Sequence, residues 1–169
     1  MFEKLRTPEE AYNYKLGSAL TMERDIVEML DGLIEESRDE TLKQLLRVHQ
    51  EETRGHARNI EQAFAAFGWE VDDSPCIVVE AIDKEGKLNI RKADESLVDS
   101  IILGGATETE HHEIAVYEYL ITNARAMGRE DVVTLLRQNL QQEEQALENV
   151  KALAERVAIA SQREPAARA

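Results

Sequence analysis

Apolar side chains recur at steps of three and four along most of this chain, and the pattern predicts four amphipathic helices, over about 8–37, 40–67, 94–127 and 129–160. Thr7-Pro8-Glu9-Glu10 reads as a helix start, with a capping Thr, Pro at the first helical position and acids in the first turn. Arg38-Asp39-Glu40 makes a turn, and Gly68 and Gly128 stop the second and third helices. Residues 68–93 are the least regular part: Ile77 to Asp83 fits a short helix or a short strand, and Asp83-Lys84-Glu85-Gly86-Lys87 reads as a turn. So long a connection between helices 2 and 3 predicts a crossover along a bundle. Residues 1–7 read as an arm and 161–169 as a frayed tail, so residues 1–169 form a single all-α domain, a four-helix bundle.

The stripes are not purely apolar. The first is Leu16, Leu20, Glu23, Val27, Leu30, Ile34, and the second is Leu42, Leu45, His49, Glu52, His56, Ile60, Phe64, Phe67. The third runs through Ile102, Ala106, Thr109 or Glu110, Glu113, Tyr117, Leu120 and Ala124, and the fourth through Val132, Leu136, Asn139, Glu143, Leu147, Val150 and Ala154. Each helix therefore places an acid where its pattern calls for a core residue. Desolvating a carboxylate is costly unless something positive meets it.

Taken singly these positions mean little. The chain has 34 acids, and several will fall near any stripe, whose edges are solvated. His49 serves equally well as a satisfied core histidine, His111 and His112 point apart as helix neighbours do, and Tyr117 suits core packing as well as a supporting role beside a site. Agreement across four helices is the stronger signal. The two halves also echo each other: Glu23 and Glu52 are 29 residues apart, 52 − 23, and Glu113 and Glu143 are 30 apart, 143 − 113. Carboxylates at matching heights in two helical hairpins, with imidazole beside them, are what a dimetal site in a bundle core requires, and such donors suit iron and manganese.

Composition narrows the alternatives. A formal net charge of −14 argues against a nucleic-acid-binding surface, which needs a basic face. The single cysteine, Cys76, excludes an intrachain disulfide, and no stretch approaches a membrane span or a signal core, so a cytoplasmic location is expected. No Gly-rich phosphate loop, Cys pair or serine nucleophile elbow is present.

Two stretches carry a family likeness. Glu51-Glu52-Thr53-Arg54-Gly55-His56-Ala57-Arg58-Asn59-Ile60-Glu61 and Glu110-His111-His112-Glu113-Ile114-Ala115-Val116-Tyr117, together with Cys76 and its short apolar run, resemble the YciE/YciF-type ferritin-like family, long labelled as of unknown function. The likeness covers about residues 8–155. It implies a ferritin-like four-helix bundle, usually dimeric, with a dimetal site of rubrerythrin type and a link to bacterial stress responses. It carries the ligand set Glu23, Glu52, His56, Glu110, Glu113 and Glu143, with His49 as a weaker candidate and Tyr117 beside the site. There are departures. Position 56 is His where the family often has Gln, and Leu147 stands where a carboxylate is expected one turn after Glu143. Neither half has a strict Glu-x-x-His pattern, since Gly55 and Ala146 occupy those third positions.

The expected function is a stress protein binding two iron or manganese ions, with oxidase, peroxidase or catalase-like chemistry on peroxide, O2 or Fe(II). The alternative is a non-catalytic helical dimer, a structural or interaction module whose metal site is degenerate or absent. A homodimer is expected, and the apolar crossover residues Trp69, Ile77, Val78 and Val79 either cap the bundle end or form the dimer contact.

Overall fold

The structure, a computed structural model, describes residues 4–163; part of the arm and of the tail read from the sequence lies outside the described residues. Five α-helices and one 3-10 turn make up the regular structure: α1 (Pro8–Glu36), α2 (Glu40–Phe67), α3 (Ile77–Lys92), a turn at Glu95–Leu97, α4 (Val98–Ala126) and α5 (Glu130–Arg163). There is no strand among the described residues. α1 packs on α2, α2 on α5, α5 on α4 and α4 on α1, so the four long helices close a circuit, with α3 laid against α4 and α1.

Local chemistry sets the ends. Thr7 caps α1 in a complete capping box: its hydroxyl accepts from the Glu10 amide at 3.1 Å, and Glu10 Oε2 accepts from the Thr7 amide at 3.3 Å. Asp39 caps α2 by accepting from the Thr41 and Leu42 amides. The short α1–α2 link is also tied to α4, because Asp99 accepts from the Arg38 amide at 2.8 Å and the Asp39 amide at 3.0 Å. α2 ends on Gly68 in the left-handed region at φ 71°, and the α4–α5 link turns on Gly128 at φ 72°.

Two features differ from the sequence pattern. Residues 83–87 are not a turn: α3 runs straight through them, with Lys87 Nζ 2.6 Å from Asp83 Oδ2 as an i,i+4 pair. Gly86 is compatible with that helix, and burial of Val79 and partial burial of Ile82 and Ile90 against α1 and α4 hold it there. α5 also reaches beyond residue 160, to Arg163. The second difference is rotational. In α2 the buried line runs Leu42, Leu46, His49, Thr53, His56, Ile60, while Leu45 and Glu52 are only half-buried. The same drift places Ile26 inside and Val27 at the edge of α1.

The α2–α3 link is strapped onto α1. Ser18 Oγ donates to the Pro75 carbonyl at 3.1 Å, and Asp72 sits so close to Gly17 that a Cβ there would meet Asp72 Oδ1 at 2.4 Å and Asp72 Cβ at 2.9 Å. Trp69 stacks on Phe67 at 4.1 Å, and the Arg129 guanidinium lies 4.2 Å from the Phe67 ring centroid while Nη2 donates to the Ala66 carbonyl. Among the described residues no helix is long and apolar enough to cross a membrane. Gly17→Ala is expected to displace the strap and to cost about 1–3 kcal/mol of stability, read by urea unfolding; an unchanged midpoint would show that the strap yields freely.

Candidate metal centre

Midway along the four long helices the core turns polar. α1 supplies Glu23, α2 His49 and His56, α4 Glu110 and Glu113, and α5 Glu143; each is buried, with Glu23, His56, Glu113 and Glu143 at 0% exposure. The placement follows from register. Glu110, Glu113 and Tyr117 are spaced by three and four on one face of α4, as are His49, Thr53 and His56 on α2, and Asn139 and Glu143 on α5.

The donor atoms converge as two groups that share one residue. His49, Glu110, Glu113 and Glu143 form the first, and Glu23, His56 and Glu143 the second; in each, one ligand atom per residue lies within 4.8 Å of all the others. His49 Nε2 is 3.3 Å from Glu110 Oε1 and 3.9 Å from Glu143 Oε2. His56 Nδ1 is 2.7 Å from Glu143 Oε1 and 3.4 Å from Glu23 Oε2. Glu143 thus turns one oxygen toward each histidine.

These contacts are close without being hydrogen bonds. Both oxygens of Glu113 and of Glu143, one each of Glu23 and Glu110, both nitrogens of His49 and Nδ1 of His56 are buried and have no aligned partner. Buried polar atoms are nearly always paired, so so many in one place need a common explanation. The surrounding contacts, by contrast, are well formed. Tyr117 donates to Glu23 Oε1 and accepts from Asn139 Nδ2 at 3.0 Å. Asn139 Nδ2 also reaches the His56 carbonyl at 3.2 Å, and Asn59 Nδ2 donates to Asn139 Oδ1 at 2.7 Å. Gln142 Oε1 lies 3.0 Å from His56 Nε2. If Nε2 carries the proton and donates to Gln142, the Nδ1 lone pair is left facing Glu23 and Glu143.

Burial dominates the electrostatics. It raises Glu110 to about 10, with the Glu143 charge adding to the effect, and it raises Glu23 and, more strongly, Glu113 and Tyr117. Burial would push Glu143 up as well, but pairing with His56 overrides it and holds Glu143 below its ordinary value. Burial alone would lower His56, yet Glu143 and then Glu23 carry it up to about 10, while burial holds His49 below its ordinary value. Without a metal, the arrangement pairs His56 with Glu143 among acids that burial pushes toward the neutral form.

The donors fit a metal. Four carboxylates and two imidazoles in a water-poor pocket, with their lone pairs aimed at one another rather than at hydrogens, are a hard-to-intermediate donor set suited to iron, manganese or zinc. Glu52 stands apart. It is half-buried and belongs to neither group, although it lies near enough for His56 and Glu143 to influence it. His49, one turn earlier, is in the first group. Asn139 and Gln142, which position the site, were not singled out by the sequence. A buried amide one turn before Glu143 on the α5 stripe was the available signal for Asn139, and nothing in the spacing marks Gln142. Leu147 is buried on that same stripe and brings no donor.

Fold and site together define an all-helical protein with a carboxylate–histidine cluster at its centre. The chain belongs to the family described as Domain of unknown function (DUF892), whose model matches residues 7–163. It is 26% identical over 141 residues to Protein YciF of Escherichia coli (strain K12), covering 82% of this chain and 85% of that protein. Among solved structures it resembles YcfI of Rhodopseudomonas palustris, to which a structural role is provisionally ascribed, with TM-score 0.86 and 29% identity over 89% of this chain and 98% of the other. It also resembles the E. coli stress protein YciF, with TM-score 0.87 and 24% identity over 91% and 98% of the two chains, a likeness of fold.

The shifted acids set a pH dependence for chelated protein. The folded values of His56 and Glu110, both about 10, lie above the unfolded 6.5 and 4.5, so the folded state holds more protons between those limits. The contribution of His56 is complete below its unfolded value and is lost as pH rises through about 10, and the burial of Glu110 becomes costlier over the same rise. His49, shifted down from 6.5, pulls the other way only below that pH. In EDTA, Tm should therefore fall steadily from pH 7 to 10, and Glu110→Gln should flatten the fall. A flat wild-type profile would show that these groups titrate as they do in the unfolded chain.

Proposed function

We propose that this protein is a ferritin-like four-helix bundle whose centre holds two divalent metal ions, iron or manganese. The observation that carries the reading is the pair of adjoining donor groups sharing Glu143, with their facing atoms unpartnered. Glu143, common to both groups, would help hold both ions. His49, Glu110 and Glu113 would complete one position, and Glu23 with His56 the other. When ionised, the four carboxylates carry four negative charges, which two divalent ions neutralise; binding would then expel protons from Glu23, Glu110 and Glu113.

Iron or manganese at such a centre supplies redox chemistry toward O2 or peroxide. The chain's own part is to exclude water and hold the ligands. Tyr117 fixes Glu23 through its hydroxyl, and Asn139 fixes Tyr117 and the His56 backbone. The E. coli relative is named a stress protein, and removal of peroxide or ferrous iron under stress is the role we assign here. The exposed apolar residues Ile77, at 70%, and Val78 on α3 suit a contact with a second copy, as a homodimer.

A second reading is favoured by one observation, that His56 Nδ1 lies 2.7 Å from Glu143 Oε1, so the two can pair without a metal. On that reading the protein is a structural or interaction module, the kind of role ascribed to the R. palustris relative.

Metal content decides between them. Protein made with iron and manganese supplements and purified without chelator should hold about two ions per chain by elemental analysis. Glu143→Gln should lose both, and Glu52→Gln should keep both. Empty but folded wild-type protein would favour the structural module. Anaerobic loading with Fe(II) followed by O2 or peroxide should then give an oxidation signal, whose absence from loaded protein would leave a non-catalytic metal site. Glu110→Gln should act with opposite signs in the two states. It lowers metal occupancy, yet in EDTA at pH 8 it raises Tm, because it removes a buried acid that must otherwise stay protonated.

A further inference from the structure

α1, α3 and α4 do not close fully on one another. Between them lies a partly open hollow of about 230 Å³, walled mainly by Leu33, Ile82, Ile90, Ile102 and Ala106. Three glycines, one from each helix, also line it: Gly32, Gly86 and Gly105. None has a positive φ, and a Cβ built on any of them would meet nothing within 4 Å. Neither backbone conformation nor close packing requires glycine at these interior helical positions, where it costs stability relative to alanine. Their common property is the space they leave open.

The hollow reaches the neighbourhood of the carboxylates. One face of α4 reads Ile102, Ala106, Thr109 and Glu113, and Thr109, 3% exposed, lines the inner end. The Thr109 hydroxyl is bound to the Gly105 carbonyl at 3.0 Å, which satisfies its donor. Charge also lines it, with Glu35 and Glu36 on α1 and Asp83, Lys87 and Arg91 on α3, three acids against two bases, and Lys87 is already paired with Asp83 at 2.6 Å.

We infer that this hollow is a binding site for a small, uncharged, apolar molecule. A dry apolar cavity of roughly 150 Å³ takes a benzene-sized guest, so this one accommodates a guest of about nine non-hydrogen atoms. An occupant would stand one helical turn from Glu113, close enough to shape what reaches the centre. Three acids against two bases, one of them already paired with Asp83, disfavour a fatty-acid-like anion. The inference does not depend on whether the cluster holds metal.

The test is calorimetric titration of the purified full-length chain with p-xylene, together with a xenon-pressurised crystal to locate the site. Saturable binding and a xenon peak between Leu33, Ile90 and Ala106 are expected. Gly105→Leu and Gly32→Leu, which project side chains into the space, should each weaken p-xylene at least tenfold while keeping the helical circular dichroism. Gly55→Ala, a helical glycine outside the hollow, should bind as wild type does. Should Gly105→Leu fail to fold, Gly32→Leu, at an exposed position, carries the comparison. Absence of saturable binding up to the solubility of p-xylene, undiminished binding by a folded Leu variant, or a side chain of a second copy filling the hollow in the crystal would each overturn it.

Discussion

The burial of Glu143 between two histidines is the constraint on which the centre of this molecule depends. A lone carboxylate at that depth would be protonated, or would cost several kcal/mol to keep charged. Here one oxygen lies 2.7 Å from His56 Nδ1 and the other 3.9 Å from His49 Nε2, and Glu143 alone of the four acids is held below its ordinary value. Glu23, Glu110 and Glu113 crowd the same space and are pushed the other way. On the metal-binding reading proposed above, the cluster would have two self-consistent states, one neutralised by protons and one by cations, and passage between them would exchange protons for metal.

The hydrogen bonding around the site suits that reading. Groups facing inward have no aligned hydrogen-bond partner, while the groups one layer out are fully engaged. Asn139 joins α5 to Tyr117 of α4, to the His56 backbone of α2 and to Asn59, so it fixes three helices at the height of the carboxylates. Rigid outer contacts with loose inner ones are what a metal site requires, since the ligands must not spend their lone pairs on one another.

Much of this was legible in the sequence. The all-helical class follows from periodicity and from Gly68 and Gly128, and an acid within each stripe was visible before any packing was known. What periodicity could not fix was rotation. Steps of three and four define a face about 100° wide, so Glu52 and Thr53 compete for one inward position and only the packing of α2 on α1 and α5 chooses Thr53. The same ambiguity made His49 look ordinary. The second half of α3 escaped for a different reason, while the pattern of its first half fits a short helix or a short strand. Asp83 to Lys87 has the composition of a turn, and its helix exists because α1 and α4 offer an apolar seam for Val79, Ile82 and Ile90.

α3 also clarifies what the long connection does. A chain passing from the end of α2 to the start of α4 has only to cover distance, and an extended strap would suffice. Instead it forms a 16-residue helix that packs on both α1 and α4 over the seam between them. α3 covers this seam with Val79, Ile82 and Ile90. Yet it does so incompletely, since glycines on all three helices hold the seam open. The connection thus leaves an apolar hollow that reaches Thr109, one helical turn along α4 from Glu113, and a change in α3 would reshape that hollow without touching the carboxylate–histidine cluster.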